Sequence, residues 1–447
     1  MPYDEAYRPQ FHYTTPAGFL GDPVMMVHYA GEYHLGYAWT DPVVQSGPAY
    51  WRHAVSPDLL HWNELPVAVE PDPGHECGIW SGGAVVDWKN TSGLQTGAEK
   101  VLVAIYTKVK HGFCLVYSND RGRTWTKHPG NPVMPSVAGW NDRDTSIFWH
   151  EPTGRWVMLI TESGLTRMSF YGSPDLKHWE PLSSVDGFRV DCPDIFDLPV
   201  DGDSARRKWV LWASFFNPYV GRYIIGDFDG TRFTKESGIV RLEWGHSFAA
   251  RTWRDAPDGR TIQVGFLNGG GGRLPDMPFG NQISIPCELS LKTFEDGIRM
   301  CAWPVREVES LRTEVYAQTD VVLADIYQRM ADVPSGLVDI EAEFELIDAA
   351  EFGLNVRGEA VAYNTLDRLA SVHGSSGPLD PVNGRIRLRI LADRMSIEVF
   401  GNGGRMQMMD YYTPAPHKEI AVYSFQGSVR VISLKMYELK SSMAGLL

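Results

Sequence analysis

Ser173-Pro174-Asp175-Leu176-Lys177-His178-Trp179 repeats Ser56-Pro57-Asp58-Leu59-Leu60-His61-Trp62 almost residue for residue. Two looser copies, Ser118-Asn119-Asp120-Arg121-Gly122-Arg123-Thr124-Trp125 and Asp227-Phe228-Asp229-Gly230-Thr231-Arg232-Phe233, keep the same order of polar turn and closing aromatic. Such a run predicts a hairpin turn, because Ser and Asp side chains accept the backbone N–H groups that a tight turn leaves free. Between these turns recurs a run of β-forming residues: Glu32–Tyr37, Lys100–Ile105, Arg155–Ile160, Lys208–Ala213 and Arg260–Gly265. With Tyr33, Val101, Trp156, Trp209 and Thr261 as markers, successive runs lie 68, 55, 53 and 52 residues apart. A strand-and-turn period of this length, with almost no helical periodicity, predicts four-stranded propeller blades rather than a sandwich or a parallel α/β sheet. Five runs predict five blades, over residues 1–303.

The pattern changes after residue 303. Pro304-Val305-Arg306-Glu307-Val308-Glu309-Ser310-Leu311-Arg312 reads as the start of a linker with a helical turn, assigned to 304–319. From residue 320 to 447 alternating runs return, among them Val338–Phe344 and Arg385–Ile390, each suited to a strand with one buried face. The fold class is therefore all-β: a five-bladed β-propeller followed by a C-terminal β-sandwich.

The 447 residues are 43% hydrophobic and 21% charged, the balance of a globular chain large enough for two cores. A net charge of −14, without a basic run interleaved with aromatics, excludes nucleic acid as a partner. No apolar run has the length of a membrane helix, and Met1-Pro2-Tyr3-Asp4-Glu5 lacks a basic-then-apolar leader. Cys77, Cys114, Cys192, Cys287 and Cys301 are odd in number and show no Cys-x-x-Cys spacing, so they read as reduced thiols. A cytoplasmic location is the expectation. Nothing in the pattern specifies an oligomeric state.

In a propeller the site lies in the central funnel, lined by the first strand of each blade, so acids shortly upstream of the markers carry the interest. Asp22 precedes Tyr33 by 11 residues, Asp144 precedes Trp156 by 12, and Asp191 precedes Trp209 by 18. Asp22 and Asp191 have apolar flanks, in Gly18-Phe19-Leu20-Gly21-Asp22-Pro23-Val24-Met25 and Phe188-Arg189-Val190-Asp191-Cys192-Pro193. Burying such acids is costly unless they are paired or functional. Each alone is equally readable as a turn acid; three at matching places in the repeat argue for function. Two carboxylates facing a sugar are what glycoside cleavage requires, one attacking or activating water and one protonating the leaving oxygen.

These segments resemble glycoside hydrolase family 32, the invertases, inulinases, levanases and related fructosyltransferases, over nearly the whole chain. Phe11–Pro16 through Asp22-Pro23 is similar to the family's nucleophile segment, and Trp51–Trp62 to its next signature. Trp80-Ser81-Gly82-Gly83 resembles the Phe-Ser-Gly-Ser motif, Asn141-Asp142-Arg143-Asp144 the Arg-Asp-Pro motif, and Asp191-Cys192-Pro193-Asp194 the Glu-Cys-Pro-Asp motif. Asp393-Arg394-Met395-Ser396-Ile397-Glu398-Val399-Phe400 is similar to the hallmark of the family's sandwich, which five-bladed arabinosidases of other families lack. The resemblance implies retaining hydrolysis of β-fructosides through a covalent fructosyl-enzyme, or fructosyl transfer where a sugar hydroxyl rather than water reaches that intermediate. Asp22 is then the nucleophile and Asp191 the acid/base, while Asp144 and Arg143 hold fructose hydroxyls. It implies a fructose-containing small molecule or oligosaccharide as substrate, with no cofactor and no metal.

The departures are specific. Asp191 is one methylene shorter than the family's Glu; Gly21 replaces the Asn before the nucleophile and Val24-Met25 the Asn-Gly after Asp-Pro; Gly83 replaces Ser and Thr145 replaces Pro. They are compatible with a pocket rebuilt for a different fructoside or with a sugar-binding protein that has lost catalysis; retention of all three carboxylates favours the first. Trp39 and Trp80 are the aromatics expected to stack on sugar, with Trp51, Trp140 and Trp244 read mainly as core. Ser81 and His246 complete the candidate substrate contacts. Asn268-Gly269-Gly270-Gly271-Gly272 lacks the features of a phosphate loop, and His75-Glu76-Cys77 lacks a second ligand pair for a metal.

Overall fold

The computed structural model describes residues 3, 5–41, 49–73, 78–137, 142–162, 166–215, 220–267, 276–412 and 419–443. Trp140, Asn141, His75-Glu76-Cys77 and the 268–272 glycine run lie outside the described residues. The five repeats form antiparallel sheet units of the order expected. The first has Gly18–Tyr29, Glu32–Thr40, Tyr50–Ser56 and Asn63–Val69; the second Ile79–Asp87, Val101–Lys108, Gly112–Ser118 and Thr126–Lys127. The third has Arg143–His150, Arg155–Glu162, Arg167–Ser173 and Glu180–Asp186, and the fourth Val190–Val200, Asp203–Phe215, Val220–Phe228 and Phe233–Lys235. The fifth, Ser247–Trp253, Ile262–Leu267, Cys287–Phe294 and Gly297–Pro304, is linked to the fourth by the single parallel pair Val200 and Leu291. The first strands touch in cyclic order: Gly18–Tyr29 meets Ile79–Asp87, then Arg143–His150, Val190–Val200, Ser247–Trp253 and Gly18–Tyr29 again. That order is what a five-bladed propeller requires.

The repeated turn has one chemistry. Asp58 Oδ1 accepts the N–H groups of Leu60 (3.0 Å) and His61 (2.8 Å), and Asp175 Oδ1 those of Lys177 and His178 (both 2.9 Å). The closing indole donates back, Trp62 to the Leu59 carbonyl at 3.0 Å and Trp179 to Leu176 at 3.1 Å. Leu59 and Leu176 take φ of 71° and 65°, a left-handed conformation made tolerable by these bonds.

The sandwich pairs two six-stranded sheets around Val338, Ile340, Phe344, Phe352, Leu354 and Val422. A short 3₁₀ turn, Arg306–Leu311, leads directly into the strand Arg312–Ala324, which pairs along Ser428–Leu439. Residues 312–319, read from sequence as linker, thus belong to a sandwich strand. It is an edge strand whose first burying apolar residue is Leu323, so its sequence carries little of the alternation that marks a strand.

The domains are joined through charge. His12 Nδ1 lies 2.8 Å from Asp393 and its Nε2 3.0 Å from Glu398, all three side chains being 0% exposed. Asp393 also accepts the N–H groups of Gln10 and Phe11, and Glu398 that of Ile285. The two acids of the sandwich hallmark therefore fasten the segment that leads to Asp22.

Candidate active site

Each first strand is interrupted at about the same depth. Pairing with the second strand slips between Leu20 and Pro23, Trp80 and Gly82, Arg143 and Ser146, Asp191 and Asp194, and Phe248 and Arg251. Inside those bulges lie Asp22, Ser81, Asp144 and Cys192. A bulge re-aims side chains that a regular strand would send into the sheets, so five bulges at one level gather polar groups into the channel. Asp144 and Cys192 take φ of 64° and 49°, a strain typical of functional turns.

The bulged residues meet around the nucleophile candidate. Ser81 Oγ donates to Asp22 Oδ2, and Cys192 Sγ lies 3.6 Å from the same oxygen. One carboxylate oxygen each of Asp22 and Asp144 and the Cys192 sulfur all fall within 4.8 Å of one another. Asp144 Oδ2 accepts the Cys192 N–H at 3.1 Å and faces Arg143 Nε at 3.3 Å. Arg143 donates from Nε to Asp191 Oδ1 at 2.9 Å, adds a second bond from Nη2 to that oxygen, and lies 5.1 Å from the Trp80 ring centre. Asp22, Asp144, Asp191, Arg143, Ser81 and Trp80 are thus one connected constellation.

Its charges are unbalanced. Burial, then the neighbouring Asp144 carboxylate, raises Asp22 above its ordinary value despite the bonds from Ser81 and Cys192. Burial and Asp144 push Asp191 to about 7, against the pull of Arg143. Burial also raises the Cys192 thiol well above its usual range. A protonated thiol donating to Asp22 makes the carboxylate–sulfur cluster a hydrogen-bonded arrangement, not a ready metal site.

Two departures from the family pattern touch each other. The Gly83 N–H donates to Thr145 Oγ1 at 2.9 Å, and that hydroxyl donates to the Ile105 carbonyl at 3.0 Å. A Cβ at position 83 would lie 2.9 Å from the Thr145 carbonyl oxygen. Thr145 thus supplies an acceptor to the blade-two strand, and glycine at 83 avoids a close approach to the backbone of blade three.

Trp39 is half-buried, held by its indole N–H on the Ala17 carbonyl at 2.7 Å, with Arg52 5.2 Å from its ring centre. His246 has its imidazole 2.5 Å from Asp410 of the sandwich, while its N–H bonds the Met409 carbonyl. Trp244 similarly packs on the sandwich core, and Trp51 is fully buried. The fifth blade's segment before its first strand follows the neighbouring domain, which a motif-based placement has no means of registering. Missed in the sequence were Cys192, as a donor to Asp22, and Arg251, a buried cation in Ser247-Phe248-Ala249-Ala250-Arg251-Thr252-Trp253; its apolar flanks are the signal that singled out the acids. Behind the carboxylates the channel widens into a cavity of about 340 Å³ lined in part by Ser146, Asp194, Arg251 and Arg254.

Residues 12–304 match the model of the glycosyl hydrolases family 32 N-terminal domain and residues 307–438 that of the family's C-terminal domain. The chain is 40% identical to a levanase of Bacillus subtilis (strain 168), over 98% of its own length and 71% of the relative's. It is 35% identical to a levanase of Bacillus sp. (strain L7), again over 98% of its length, and spans 53% of that protein. The crystal structure of an exo-inulinase from Aspergillus awamori superposes with a TM-score of 0.91 at 25% identity, covering 99% of this chain and 100% of the other.

Proposed function

The chain belongs to glycosyl hydrolases family 32, and on that premise we propose that it hydrolyses β-D-fructofuranosides, levan foremost, with Asp22 as nucleophile and Asp191 as acid/base. The observation that carries the assignment of roles is the convergence of Ser81 and Cys192 on Asp22 while Arg143 grips Asp191. Asp22 receives donors, which suit an ionised nucleophile. Asp191 is held near neutrality, which suits a group that gives a proton in one step and takes one back in the next.

In the first step Asp22 attacks the anomeric carbon of the fructosyl unit as Asp191 protonates the departing oxygen. In the second, Asp191 removes a proton from water, which displaces Asp22 and restores both groups with retained configuration. The Arg143 Nε and Nη2 bonds to Asp191 both fall on Oδ1, so Oδ2 is the oxygen suited to carry the proton. Asp144 and Arg143 are placed to hold hydroxyls and to stabilise the positive transition state. Retention of all three carboxylates, two of them joined through Arg143, supports a working pocket rather than one left to decay.

The test is Asp191→Ala on levan, inulin, sucrose and an activated fructoside, with and without azide. Lost activity on the natural substrates, with azide restoring turnover as a fructosyl azide, is the expected result. Unchanged hydrolysis of levan by the variant sinks the acid/base assignment, and release of pentose but no fructose by the wild type sinks the substrate class. A cytoplasmic location belongs to the same proposal, supported by the buried free thiols Cys114, Cys192, Cys287 and Cys301; cell fractionation tests it.

A further inference from the structure

Arg251 stands on the first strand of the fifth blade, two residues beyond the left-handed Ala249, and is 4% exposed. Its Nη1 donates at 2.5 Å to the carbonyl of Pro193, within the turn that carries Asp191 and Cys192. Among the described residues its Nε and Nη2 are buried without a hydrogen-bond partner. A buried guanidinium with open donors is expensive unless its charge is answered nearby. The negative groups that answer it are Asp22 on the first blade and Asp194 on the fourth.

The two differ in how fully they are served. Asp194 has its own complement: Arg254, the Ser146 hydroxyl, and the N–H and hydroxyl of Thr252 at 3.0 and 2.8 Å. Asp22 has Ser81 and Cys192, both neutral, while Arg143 is engaged with Asp191 and Asp144. The channel thus holds a cation at the front for Asp144 and Asp191, one at the rear for Asp194, and Arg251 between them.

We propose that Arg251 is a positioning residue for fructoside hydrolysis: it braces the Asp191–Cys192–Pro193 turn through the Pro193 carbonyl and supplies the positive charge behind the nucleophile. The inference rests on the assignment of Asp22 as nucleophile. Its two functions separate by side chain. The charge opposes the burial and the Asp144 carboxylate that raise Asp22. The Nη1 bond to the Pro193 carbonyl holds the turn, and through it the thiol on Asp22 and the carboxyl of Asp191.

The experiment measures kcat/KM for fructose release from levan against pH for wild type, Arg251→Gln, Arg251→Lys and Asp22→Asn, with Tm recorded for each. Asp22 must be ionised to attack, so activity falls as pH drops through its pKa. Loss of the cation in Arg251→Gln is expected to move that acidic limb up by about 1 pH unit. Arg251→Lys keeps the charge and loses the Nη1 bond to the Pro193 carbonyl, so it should leave the limb in place while kcat falls, on the order of 10-fold or more, with KM little changed. An acidic limb that stays put in the Gln variant overturns the proposal, as does a Lys variant whose limb shifts. Where the Gln variant does not fold, the Lys variant still decides: an unmoved limb with reduced kcat supports the proposal, and wild-type kinetics overturn it. Full activity in Asp22→Asn would instead strike the nucleophile assignment itself.

Discussion

Two places in this molecule bury clustered acids, and they handle them in opposite ways. At the joint between domains Asp393 and Glu398 share His12 and four backbone N–H groups, those of Gln10, Phe11, Arg394 and Ile285. Burial alone would depress His12, yet bonds to Asp393 and Glu398 raise it to about 9, and the same pairing holds Asp393 below its ordinary value despite burial. At the site, Asp22, Asp144 and Asp191 crowd around one direct guanidinium, and both Asp22 and Asp191 are raised. The joint favours fixed charge; the site favours charge that changes. Asp194 sharpens the point, since it lies three residues from Asp191 and is held low by Arg254 and Arg251 although burial opposes it. What separates a structural acid from a working one here is the completeness of its partners, not its depth.

The comparison breaks most sharply at Asp22. Asp22→Asn keeps the acceptor oxygen for Ser81 but abolishes the nucleophile, so kcat on levan should fall on the order of 10⁴-fold or more. Because the change also removes one of the crowded like charges, Tm should hold or rise. A fall in Tm matching the loss of activity would place Asp22 with the structural acids.

Opening the joint should do the reverse. His12→Gln leaves Asp393 and Glu398 buried without their cation, and unfolding free energy should drop by about 3–5 kcal/mol, read by denaturant titration. The pH dependence has a definite sign. A folded-state pKa raised to about 9 from 6.5 means that His12 contributes in full below pH 6.5, and that its stabilisation is lost as pH rises through 9. Asp393, lowered, loses its contribution as pH falls through its folded pKa. His12→Gln should therefore remove the alkaline loss of stability while leaving the pH limits of kcat unmoved.

Asp191 tests the middle ground. Since the protonated acid starts the reaction, activity should decline as pH rises through about 7, the value to which burial and Asp144 push this group. Asp191→Asn should erase that alkaline limb and cost on the order of 10²-fold on levan, with a smaller loss on an activated fructoside whose leaving group needs no proton.

The legible parts of this fold were those written locally. A Ser-Pro-Asp turn carries its own acceptors, so its repetition announced the blades, and an Asp between apolar residues announces itself wherever it falls. The bulges that aim Asp22, Ser81, Asp144 and Cys192 into the channel are relations of register between two strands, and a single strand's sequence does not contain them. Nor does the segment around His12 name its partners, which arrive from another domain. The same holds for His246, whose partner Asp410 also arrives from the sandwich. The edge strand Arg312–Ala324 passed for a linker because its apolar residues come in runs, with a slip in pairing between Glu314 and Tyr316, and do not alternate.

The turn acids give the comparison its lower bound. Asp175 accepts two backbone N–H groups where Asp393 accepts three, and does so at a half-buried hairpin where water competes for the same donors. Asp175→Ala should therefore cost only about 1 kcal/mol, the scale of a lost cap, and Asp175→Asn less, because the amide oxygen still accepts. Asp58 makes the same two bonds in the first blade, so Asp58→Ala should match it, and the double variant should show the sum, the two turns being in separate blades. Neither change should alter kcat or its pH limits. If Asp58→Ala moved either limb, the turn would be transmitting strain to the bulge at Asp22, and partner completeness would no longer be enough to tell the two kinds of acid apart.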